Sequence, residues 1–144
     1  MQIDYLFMRQ MVNAMIAKDS HYINIEPLAM ELRPQFATLD DEEYIDKFYG
    51  HLWLLKDNSV IEEMTLGQRM GISYATNRHI TRTDCVIRLT AQGYDFAKLL
   101  NKNDALDKIK KMSIASVLVL CQKMAEIGVE KAFGAIIKKL PTRA

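Results

Sequence analysis

Apolar residues recur at helical spacing along most of the chain. The clearest stripe is Ile45, Phe48, Leu52 and Leu55, spaced +3, +4 and +3. It predicts a helix within Tyr44–Ile61, broken by Asp57-Asn58-Ser59, after which Val60-Ile61 opens a strand. Ahead of it, Leu6-Phe7, Met11 and Ala14-Met15 form a broad stripe on a helix from Tyr5 to Lys18, with Asp4 placed as its N-cap. His21 to Ile25 alternates weakly and reads as a short extended segment. Pro27 to Leu32 suits a short helix with Pro27 at its first position, and Pro34 biases Arg33 out of the helical region. Asp40 with Glu43, or Thr38 with Asp41, gives the central helix a capping-box-like start.

Residues 67–83 show no period, and Gly67, Gly71 and Asn77 mark them as loop. Asp84 to Leu89 is a returning strand. A hairpin tip of roughly seventeen residues far exceeds the common two to five, so this wing is expected to be either mobile or functional. Thr90 then caps a helix from Ala91 to about Asn101, and Asn103-Asp104 opens another from Ala105 to Met112. Ser113 caps a third, whose residues Ile114 to Cys121 are apolar on nearly every side. Such a helix is buried, either in its own core or against a second copy. After Gly128, the positions Val129, Ala132-Phe133, Ile136-Ile137 and Leu140 give the cleanest amphipathic period in the chain.

A helix leading directly into a strand, with a second strand returning, is the arrangement of a winged helix-turn-helix. The expected fold is therefore mainly α (α+β): a winged helix-turn-helix with a long β-hairpin wing over residues 1–101, and a C-terminal helical extension over 102–144 in the same compact unit. The 144 residues, 49% apolar and 26% charged, are enough for a core without covalent staples. The net charge of +1 gives no global steering toward nucleic acid or membrane. Its distribution is uneven, however: residues 1–60 carry −5, residues 61–90 carry +1 and residues 91–144 carry +5. Cys85 and Cys121 stand apart without a Cys-x-x-Cys spacing and read as reduced, buried thiols. Gln2-Ile3-Asp4 begins neither a basic n-region nor a long apolar core, and the longest apolar run is far short of the ~20 residues of a membrane span. A cytoplasmic protein without membrane contact is expected.

Three segments occur in the same order in a known family. They are Asp4-Tyr5-Leu6, then His51-Leu52-Trp53-Leu54-Leu55, then Arg88-Leu89-Thr90-x-x-Gly93-Tyr94-Asp95-Phe96. On these the chain resembles, over most of residues 1–125, a family of small phage and mobile-element proteins catalogued as a domain of unknown function. The family usually has Ala-Gly-Leu where Asn58-Ser59-Val60 stands here, and an aromatic residue where Ala91 stands. The resemblance implies a winged helix with a helical extension and a phage or mobile-element setting. It implies no activity.

Two surfaces and one seam are the candidate sites. The wing carries Arg69, Arg78, His79 and Arg82, suited to phosphate contacts or a minor groove. The central helix instead presents Asp40, Asp41, Glu42 and Asp46, with Tyr49 and Trp53 one turn apart. The acids either complement the helix dipole or form a face that docks a protein partner. The seam is Ile114, Val117, Leu118, Phe133, Ile136, Ile137 and Leu140, which offer apolar surface for a homodimer or cover the chain's own core. His51 reads as a core or boundary histidine, and no metal or cofactor is expected. The chain has no His-Glu-x-x-His, P-loop, Gly-x-Ser-x-Gly or Gly-x-Gly-x-x-Gly, so a non-enzymatic regulator is expected. It would contact DNA chiefly through the wing, or else dock its acidic helix on another regulatory protein in the manner of an antirepressor.

Overall fold

The computed structural model describes residues 2–64, 72–74, 80–82, 84–128, 131 and 134. The elements in chain order are α1 (Tyr5–Ile16), β1 (Ile23–Asn24), α2 (Ile25–Leu32), a 3-10 turn (Arg33–Phe36), α3 (Asp41–Asp57) and β2 (Ile61–Glu63). Then follow β3 (Ile72–Tyr74), β4 (Ile80–Arg82), β5 (Val86–Leu89), α4 (Ala91–Leu100), α5 (Ala105–Ile109) and α6 (Ile114–Ile127). The chain is mainly helical, of α+β class. Its three-stranded antiparallel sheet has the order β1-β5-β2, and β3 pairs with β4 in a separate ribbon.

Four helices start where their capping residues predict. Asp4 accepts the Phe7 N–H at 3.0 Å, Asp40 that of Glu43 at 2.8 Å, Thr90 that of Gly93 at 3.0 Å and Ser113 that of Ser116 at 3.2 Å. Helix α2 begins two residues before Pro27, which costs nothing because the first four N–H groups of a helix have no intrahelical acceptor. Arg33 is helical despite Pro34. Its guanidinium donates to the Phe36 carbonyl at 2.8 Å and the Leu39 carbonyl at 2.7 Å, pairs with Asp41 and lies 5.0 Å from the Tyr44 ring centre, which fixes the approach to α3. Residues 67–83 are not loop throughout, since β3 and β4 pair Ile72 with Arg82, Ser73 with Thr81 and Tyr74 with Ile80. Three-residue strands are too short for an alternating pattern to be recognised among neighbouring Gly and Thr.

One hydrophobic core runs from α1 to α6 and draws on every helix. In α3 its members are Tyr44, Phe48, Tyr49, Leu52 and Leu55, with Ile45 only partly buried. Tyr44 displaces Ile45 from the expected stripe because its ring fills the core while its hydroxyl donates to the Ala29 carbonyl. Tyr5 does the same at the other end. Its buried hydroxyl donates to the Met112 carbonyl at 2.6 Å, tying the first helix to the C-terminal third.

The junction of β5 with α4 is packed on the turn between α3 and β2. The Thr90 N–H donates to the Val60 carbonyl at 3.0 Å, the Thr90 hydroxyl to the Ser59 carbonyl at 2.6 Å, and the Gln92 amide to the Asn58 carbonyl at 3.2 Å. Gly93 completes the contact. A Cβ there would stand 2.2 Å from the Val60 carbonyl oxygen and 2.8 Å from Leu89 Cδ2. Backbone oxygen cannot swing aside as a side chain can, so only glycine fits. Gly93→Ala is expected to lower unfolding free energy by about 1–3 kcal/mol, the usual range for overpacking. A urea midpoint unchanged from wild type would refute the contact.

Candidate functional site

Helix α3 divides its charges between two sides. Glu42, Asp46, Trp53 and Asp57 fall at i, i+4, i+11 and i+15, which places them along one stripe of the helix. The three acids of that stripe are exposed, as are Asp40, Asp41 and Glu43 at the N-terminus, and Trp53 is half-buried. The two lysines lie on the flanks and serve the fold. Lys47 Nζ is 2.7 Å from Asp4 Oδ2, and Lys56 Nζ is 3.0 Å from Glu63 Oε1 on β2. Lys56 also lies 4.8 Å from the centre of the Trp53 ring, a cation–π contact. Among the described residues Asp41 alone of the outward acids forms a salt bridge, with Arg33 at 3.0 Å, and the charge of Arg33 also acts on Asp40.

At the N-terminus of α3 the acids also interact with one another. The Glu43 N–H holds the Asp40 carboxyl below its usual range, while the hydrogen bond with Asp40 and its charge push Glu43 up. Six carboxylates crowd the outside of one helix, so an approaching phosphate backbone meets repulsion and a basic protein surface meets attraction.

The other expected site residues are distributed as follows. Tyr49 is buried in the core, which removes it from the docking face; its ring stands edge-on to Phe48 at 5.4 Å. Ile114, Val117 and Leu118 are also buried within the single chain, because α6 packs on α4. They are core residues here. Phe133, Ile136, Ile137 and Leu140 lie outside the described residues. So do Arg69, Arg78 and His79, whereas Arg82 ends β4 opposite Ile72. Cys85 and Cys121 are both buried and unoxidised, and desolvation pushes the Cys121 thiol up to about 12.

Sequence reasoning missed the group at the start of α1. Asp4, Lys47 and His51 meet there, beside a cleft of ≈ 370 Å³ whose other charged lining residues are Asp107 and Lys110, from α5 and its C-terminal end. Asp4 was legible as a cap and His51 as a core residue. A contact across 47 positions leaves no local signal. Among the described residues no group of His, Cys, Asp and Glu is placed to hold a metal ion, and no helix is long and apolar enough to cross a membrane.

The paired lysines and the outward acids differ in their expected stability effects. Lys56→Ala removes the ammonium that pairs with Glu63, whose side chain is only 8% exposed, and is expected to cost about 1–3 kcal/mol in urea unfolding. Asp46→Ala, at an exposed site, is expected to change it by less than ~0.5 kcal/mol. Equal losses would refute this division of charge. Comparison with protein-family models, with curated proteins and with solved structures returned no match.

Proposed function

We propose that the chain is a non-enzymatic regulatory protein of phage or mobile-element type, built as a winged helix-turn-helix, that docks α3 on the basic surface of another regulatory protein. The order α1-β1-α2-α3-β2-β5 supports the winged-helix reading, as does a sheet in which the first strand pairs with the last and the last with the second. In that fold α3 is the helix offered to a target. The observation that carries the reading is its outer face: exposed Glu42, Asp46 and Asp57 around Trp53, with Lys47 and Lys56 each paired to a carboxylate of a neighbouring element. DNA affinity rests on Lys and Arg that neutralise phosphates, and the cation beside this stripe, Lys56, is already paired with Glu63. A surface that imitates the charge of nucleic acid suits an antirepressor, which occludes the DNA-reading face of its partner.

The test is affinity capture from a native host extract with the full chain. The pair Glu42→Lys and Asp46→Lys reverses the stripe without touching the Arg33–Asp41 or Lys56–Glu63 pairs, and is expected to abolish retention of a basic regulatory protein. Equal retention by the reversed variant would end the proposal.

A second reading is favoured by the ribbon β3–β4, which stands apart from the main sheet and ends in Arg82. With Arg69, Arg78 and His79 it would meet DNA as a basic wing. On this reading DNA retardation falls steeply with salt, and Arg78→Ala with Arg82→Ala makes the dependence shallower by about one unit of log–log slope for each phosphate no longer neutralised. Absence of retardation of any duplex at low salt removes it.

A further inference from the structure

Among the described residues His51 is the one polar or charged member of the buried set, with no exposed surface. Both of its ring nitrogens are engaged by backbone groups of fixed polarity. Nδ1 lies 2.8 Å from the Lys47 carbonyl, which only accepts, so Nδ1 carries the hydrogen. The Asp4 N–H donates to Nε2 at 2.9 Å, so Nε2 is bare. The partners therefore select a single neutral tautomer. The ring packs 5.1 Å from that of Phe7.

The charged groups acting on the imidazole are Asp4, from the start of α1, and Lys47, from the preceding turn of α3. Asp107 of α5 and Lys110 just beyond it contribute to the wall of the adjoining cleft. Asp4 is the hub of the arrangement. Its N–H meets His51, its carboxylate caps α1 through Phe7, and the same carboxylate pairs with Lys47.

We propose that His51 is an acid-sensitive latch that fastens the start of α1 to α3. Protonation places a hydrogen on Nε2, so two donors face each other where one bond held the chain. The ring cannot exchange roles, because the Lys47 carbonyl still requires the Nδ1 hydrogen. The Asp4 N–H loses its acceptor, and the start of α1 lifts from α3 and widens the cleft. The Asp4 carboxylate leaves with it, which releases Lys47 onto the flank of α3 and adds a cation beside the acidic stripe. Desolvation of the imidazole lowers its pKa from 6.5, opposed by its hydrogen bond to Lys47 and the charge of Asp4. The latch therefore holds in full above 6.5 and weakens as pH falls from there through the lowered folded value.

The test is amide hydrogen exchange on the full chain at pH 7.5 and 5.0, corrected for intrinsic rates, with the amides of α4 as reference for global opening. The wild type is expected to lose protection at the Asp4 amide by at least about fivefold relative to α4. His51→Gln keeps one donor and one acceptor but does not titrate, and is expected to stay below that loss. A smaller loss in the wild type, or an equal loss in His51→Gln, overturns the latch. Should His51→Gln fail to fold, the wild type decides by nuclear magnetic resonance. Loss of Asp4 protection is expected to follow the His51 ring titration, and a ring that titrates while the Asp4 amide stays protected overturns the proposal.

Discussion

The close approach of Gly93 to the Val60 carbonyl is the constraint on which the remaining architecture depends. It joins three elements at a point: the end of α3, the start of β2 and the first turn of α4. With Thr90 bonded to Ser59 and Val60, it holds β2 and β5 in register, Ile61 opposite Leu89 and Glu63 opposite Ile87. That register delivers Ile61, Ile87 and Leu89 to the core and leaves Glu62 and Arg88 to pair on the other face. The turn also demands strain on the opposite side. Ser59 sits at φ 60, in the left-handed region where a side chain costs about 1–2 kcal/mol and which glycine occupies freely. Ser59 therefore has a conformational cost that the Thr90 contact helps to offset.

Charge on α3 is arranged by the needs of the fold before those of any partner. Both lysines answer carboxylates held by neighbouring elements, and the acids at its N-terminus complement the helix dipole. The dipole explains Asp40 to Glu43. It does not reach Asp46 and Asp57, which lie beyond the first turn, where the favourable field has fallen away. Asp57 stands at the C-terminal end, where the dipole opposes it. Those two positions separate a helix that is merely well capped from one whose whole outer stripe is negative.

Much of this was legible in the sequence because the deciding interactions are local. Asp4, Asp40, Thr90 and Ser113 each cap a helix with a side chain that reaches only three residues ahead. The +3, +4 stripe of α3 was nearly right, but periodicity does not weigh a Tyr against an Ile at the edge of a stripe, and Tyr44 won by finding an acceptor in α2. Tyr49 and the apolar face of α6 were harder. An apolar side chain leaves water as readily within one chain as between two, so Ile114, Val117 and Leu118 carried no sign of which core they would join. The β3–β4 ribbon and the meeting of Asp4 with His51 were not legible, since the first is too short for a period and the second depends on contacts between distant segments.

Trp53 has a consequence outside binding and stability. It is the only tryptophan of the chain, set half-buried in the middle of the acidic stripe with an ammonium group over its ring. Its excited state moves electron density across the indole, so its emission responds to the charge and water around it. The protein thus carries an intrinsic fluorophore at the centre of α3, and its colour registers any body that covers that face, without a label and without altering a residue.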